Sequence, residues 1–146
     1  MTISRRIPPI VAQTLTDSCW AAALESWSRV DPRMPDRRQA DLVRQWGEGS
    51  TGGITPATKI PVIATAMSLA WGGFAASGLV PYLTQHLPNS HIFCAYTRGA
   101  FTHAVVIYRM SDRGNISYMD PDGGHDRWQP ITWFTARGPY VLMRKP

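Results

Sequence analysis

The sequence predicts an α+β fold, with helices first and an antiparallel sheet after them. Two observations carry this. As far as His86, apolar residues recur at helical spacing between proline and glycine breaks; from Ile92 onward, short β-branched and aromatic runs are separated by turn residues. A chain of 146 residues is long enough to bury one core without a metal or disulfide staple, so residues 1–146 read as a single domain.

The elements follow in order. Residues 1–15 read as an extended lead, because Pro8 and Pro9 exclude helix. Thr16, Asp17 or Ser18 offers a cap for a first helix, and Trp20, Ala23, Leu24 and Trp27 form its core stripe. Pro32 and Pro35 break it, and Asp36 caps a second helix with apolar positions at Ala40, Val43 and Trp46. The glycine-rich run 47–53 is a loop. No strand precedes it and no Gly-Lys-Ser/Thr follows, so it lacks the parts of a phosphate cradle. A third helix is expected from near Pro56 through Met67 and Leu69 to a stop at Gly72 and Gly73, then a short strand around Phe74 and a short helix over 79–86. Strands are expected over 92–96, 103–109, 116–120 and 140–144.

Composition narrows the function classes. The formal charge is +5, and thirteen of the 15 basic residues are arginines scattered along the chain. With no basic run, neither a nucleic-acid partner nor a membrane surface is expected. Cys19 and Cys94 lack the dense spacing of a secreted disulfide scaffold, which favours a reducing compartment. Residues 1–10 hold only a short apolar stretch interrupted by prolines, so no signal peptide or transmembrane span is read there. The expected location is the cytoplasm, or a target cell reached through a specialised secretion system.

Four separated residues carry the chemistry. Cys19 falls at a helix start, where unpaired amides and the helix dipole favour a negative charge. Alone, a cysteine beside a tryptophan and three alanines is more often an inert core residue. His103 opens an apolar strand and so sits at the rim of the sheet. Asp120 lies on the next strand. If partner numbers across that hairpin add to 223, Asp120 faces His103; if they add to 226, it faces Val106, about 10 Å from the histidine at strand rise. Only the first register, or a bulge restoring it, is expected to allow a Cys19–His103–Asp120 triad. Gln13, six positions before the cysteine, supplies a side-chain amide for an oxyanion, with the Cys19 backbone amide as second donor. His86, His91 and His125 have no ligand-like spacing with the cysteines, so no metal is expected. No cofactor is required either.

The string from Gln13 through Cys19, Trp20 and Ala21 resembles the papain-like cysteine peptidase signature. Phe101-Thr-His103-Ala-Val-Val-Ile and Tyr118-Met-Asp120-Pro121 are similar to compact bacterial members, the bacteriocin-leader peptidase domains of export transporters and the plant-pathogen effector peptidases. The resemblance covers the ends of the chain; residues 31–90 carry no motif that aligns. It implies a minimal papain-like fold, with the helix bearing Cys19 packed on the sheet bearing His103 and Asp120. It implies Cys19 as nucleophile, His103 as base, Asp120 as its orienter and Gln13 as oxyanion donor. Apart from the resemblance, Trp20 beside the thiol is a weaker substrate-binding candidate, and Trp133 with Phe134, after the Asp-Pro turn, offers an apolar wall over the site, with a plain core role the stronger reading. The function expected is a cysteine endopeptidase acting on a protein or peptide, as a bacterial effector or toxin module with an immunity or inhibitor protein as a further partner. The same triad also suits amidase, deamidase or transglutaminase chemistry. An inactive peptide-binding module is the third reading.

Overall fold

The structure, a computed structural model, describes residues 1–99 and 101–146. Its elements are β1 (Ile3–Ser4), α1 (Cys19–Val30), α2 (Gln39–Trp46), α3 (Pro56–Ala66), β2 (Ala70–Phe74), a 3-10 turn (Ala76–Gly78), α4 (Leu79–His86), β3 (Ile92–Arg98), β4 (Phe101–Met110), β5 (Asn115–Asp120), β6 (His125–Pro130), α5 (Ile131–Thr135) and β7 (Tyr140–Arg144). Seven antiparallel strands form one sheet in the order β2-β7-β3-β4-β5-β6, with β1 beside the far end of β4. This is the expected α+β layout.

The sheet has an apolar core on each face. On one, α1 lies against Phe93, Ala104, Val106, Met119 and Met143. Alternation in the strands sends Cys94, Val105, Ile107, Tyr118 and Leu142 to the other, beneath α4 and α5. Residues 19–28 of α1 are all buried, so this helix is a central element rather than a surface one.

Three local expectations need correction. In α2 the buried positions are Gln39, Leu42 and Trp46, while Ala40 is exposed; a polar residue occupies the inward turn for a reason given below. The helix expected to run to Gly72 ends at Ala66, and Gly72 and Gly73 lie inside β2, paired with Leu142 and Val141. No strand is expected between 120 and 140, yet His125 begins β6 and pairs with Asp120.

The β4–β5 hairpin is the register that positions the site, and it is not the expected one. Met110 pairs with Ile116 and Arg109 with Ser117, the 226 pairing; beyond a bulge at Tyr108, Ile107 pairs with Tyr118 and Val106 with Met119. The bulge shifts the ladder by one residue instead of restoring the 223 pairing. One residue is enough to change the face on which Asp120 lies. Continued one step, the shifted register sets Asp120 opposite Val105, on the same face as His103 and diagonal to it. Diagonal neighbours on one face are within reach of long side chains.

Candidate active site

Cys19 is the first residue of α1, and Ser18 precedes it as N-cap. The Ser18 hydroxyl does not cap the helix; it accepts from the Leu15 amide at 3.0 Å and lies within hydrogen-bond distance of the Leu15 carbonyl and Gln39 Oε1. The Cys19 backbone amide donates to no acceptor among the described residues, so it remains open at the start of a helix. Beside it, Trp20 is buried and its indole donates to the Gly52 carbonyl at 2.8 Å. That bond ties the glycine-rich loop to the rim of the thiol.

Cys19, Trp20 and His103 line one cavity of about 160 Å³, bordered also by Ile54, Ile60 and Phe101. Phe101 is largely exposed at its mouth. His103, expected to open its strand, is the third residue of β4; it is buried, pairs with Tyr96, and its Nε2 lies 2.7 Å from Asp120 Oδ1. With Nε2 engaged, Nδ1 is the ring nitrogen left to face the thiol. Asp120 accepts two further bonds, from the Asp122 amide and from Arg127 Nε, both at 3.0 Å.

The electrostatics follow from these contacts. Burial works against a charged His103, but the hydrogen bond to Asp120 and the interaction with Cys19 outweigh it and raise its pKa to about 9. Burial also works against a charged Asp120, yet its bonds to His103 and the Asp122 amide, with the positive charge of His103 and Arg127, hold its carboxyl below the usual range. The two groups therefore favour an imidazolium–carboxylate pair. The other cysteine behaves oppositely: Cys94 is fully buried in β3 and burial alone pushes its thiol far up, so it is a core residue.

Gln13 is near the site but already engaged. Its backbone amide donates to the Pro121 carbonyl at 2.9 Å, tying the N-terminal lead to the turn after Asp120. Its side-chain nitrogen donates to the carbonyls of Thr16 at 2.7 Å and Leu15 at 3.2 Å, while Oε1 is buried without a partner among the described residues. Trp133 is placed differently from the expectation. It does not border the thiol; it lines a second cleft behind Asp120 with Tyr96, Tyr118, Arg98 and Arg127, stacked on Tyr118 and covered by the Arg137 guanidinium at 3.7 Å. Sequence reasoning missed Arg127 and Gln39, which lie within an exposed strand and at a helix start. Only the hydrogen bonds reveal them.

A helix that begins at a cysteine, packed on an antiparallel sheet whose rim carries a paired histidine and aspartate, is the arrangement of the papain-like cysteine peptidases. Residues 2–138 match the family described as papain-like cysteine protease AvrRpt2, and the chain belongs to that family. It is a cysteine peptidase. Among solved structures it is similar to the peptidase domain of Streptococcus ComA, described as a bifunctional ABC transporter involved in a quorum-sensing pathway. That likeness has a TM-score of 0.69 at 19% identity, over 94% of this chain and 98% of that one, and it shows the shared fold. No curated protein matches the sequence. No described helix is long and apolar enough to cross a membrane.

Proposed function

We propose that the chain is a cysteine endopeptidase in which Cys19 is the nucleophile, His103 the acid–base group, Asp120 its orienter and Gln13 an oxyanion donor. The observation that carries the reading is the His103–Asp120 bond of 2.7 Å, made by the histidine that lines one cavity with Cys19 at the open start of α1. Cys19 Sγ, as thiolate, attacks a peptide carbonyl, and the carbonyl electron pair moves to its oxygen. The Cys19 backbone amide and the Gln13 side chain are the donors for that oxyanion. Both Gln13 N–H groups are engaged, so donation to the oxyanion requires it to release one; the longer bond, to Leu15, is the one to give up. Collapse breaks the C–N bond as His103 protonates the leaving amine, leaving a thioester. Water, giving its proton to His103, then displaces Cys19 and releases the acid.

Its setting, on this reading, is a bacterial effector or toxin module that cuts a target protein and has a neutralising partner in the producing cell. The resemblance to plant-pathogen effector peptidases supports this. The test exposes a bacterial lysate to wild type and to Cys19→Ala and maps new protein N-termini. New termini with wild type alone are expected, together with slowed growth on cytosolic expression that Cys19→Ala abolishes. Deamidated or crosslinked glutamines without new termini would move the function to the other acyl transfers, and equal growth of the two strains would remove the toxin role.

A further inference from the structure

Gln39 opens α2 and is buried, and its bonds converge on the segment that leads into Cys19. Its Nε2 donates to the Ala12 carbonyl at 2.8 Å and its Oε1 accepts from the Thr14 amide at 3.1 Å. Those two backbone groups flank Gln13, so one side-chain amide grips the lead on either side of it as a neighbouring strand would. The same Oε1 lies 3.2 Å from the hydroxyl of Ser18, immediately before Cys19. Gln39 is itself fixed from α1: Glu25 Oε1 accepts its backbone N–H at 2.7 Å. The bonds thus run from the helix of Cys19, through Glu25 and Gln39, back to the arm of Gln13.

We propose that Gln39 is a positioning residue for the peptidase reaction, holding the Gln13 arm at a set distance from the start of α1; this rests on the roles assigned above to Cys19 and Gln13. A buried position wanted only for packing is better filled by an apolar side chain. Glutamine places a donor and an acceptor together at the end of a two-carbon stem, and both ends meet complementary backbone groups. The arm is held by its backbone, at Gln39 and at Pro121. The Gln13 side chain is therefore not needed as an anchor, and it can release its bond to Leu15 for the oxyanion without loosening the arm.

The test separates the oxyanion from the thiol. Alkylation of Cys19 by iodoacetamide needs the thiolate and no oxyanion donor, whereas peptide hydrolysis needs both. Gln39→Met keeps length and apolar bulk while removing the amide. On the best-cut peptide from the lysate experiment, it is expected to lower kcat about tenfold to a hundredfold while leaving KM and the alkylation rate nearly unchanged. Gln39→Glu retains the acceptor for Thr14 and Ser18 but sets a carboxylate oxygen against the Ala12 carbonyl, so it should show the same kcat-selective loss. Wild-type kcat in both variants, or kcat and alkylation falling together by one factor, overturns the proposal and marks Gln39 as structural, with the Cys19 reading intact. Hydrolysis that survives Cys19→Ala overturns that reading, and this inference with it.

Discussion

At the scale of single residues, the imidazole of His103 sets the pH behaviour of the site. Its pKa of about 9 means that the imidazolium persists through neutral pH, so hydrolysis should fall on the alkaline side near that value as the leaving-group proton is lost. The hydrogen bond of His103 to Asp120 is the largest single contribution that raises this pKa. Asp120→Asn removes the charge and keeps the shape, so the alkaline limb of kcat/KM should move to lower pH, with a loss near neutrality on the order of a hundredfold. A pH–rate profile of the two proteins checks this; an unmoved limb would show that Asp120 does not govern His103. The four residues themselves were legible from local strings and chain order. Their geometry was not. The 223 pairing needed for a direct face-to-face contact is absent, and a bulge at Tyr108 with a diagonal reach achieves the contact instead. Nothing in the residues around Tyr108 announces that extra residue: its side chain is buried and donates to Asp126 at 2.7 Å across β5, a partner that only the folded sheet supplies.

At the scale of elements, α1 carries the site because it is clamped on every side. Trp27 is fully buried in it, and its indole Nε1 has no partner among the described residues. A buried donor without an acceptor is a liability that offsets part of the ring's contribution. Trp27→Ala should therefore destabilise by about 3–5 kcal/mol, while Trp27→Phe, which removes the orphaned N–H and keeps an aromatic ring, should cost about 1.5 kcal/mol or less. Chemical denaturation of the three proteins measures both; equal losses would mean the indole N–H is satisfied in solution. Elements with a clean apolar pattern were readable: 140–144 is β7 as expected, and 79–86 is α4. β6 was not, because five of its six residues are exposed, which leaves no alternation to read. β2 was foreshortened because paired glycines usually mark a stop. Here they lie on a strand next to β7, where Gly72 leaves room for the Phe74 ring.

At the scale of the whole molecule, the histidine–aspartate pair joins β4 to β5, so its protonation is linked to folding. His103 is raised from an ordinary 6.5 to about 9 in the folded protein. Its contribution to stability is therefore complete below pH 6.5 and is lost as pH rises through the folded value. Asp120 is held below its ordinary value, so its contribution is present above that value and is lost as pH falls through the depressed one. The pair should stabilise most between these limits, in mildly acidic to neutral solution. His103→Gln, neutral at every pH, serves as the reference. The gap in unfolding free energy between wild type and this variant should be widest near pH 6 and should close toward pH 9.5. Because Cys19 also raises His103, the gap measured in a Cys19→Ala background should begin to close at lower pH. Urea titrations of the four proteins across this range decide it. A gap that stays constant with pH would mean that His103 is not protonated preferentially in the folded state, and the imidazolium on which the alkaline limb of activity depends would then lack its structural basis.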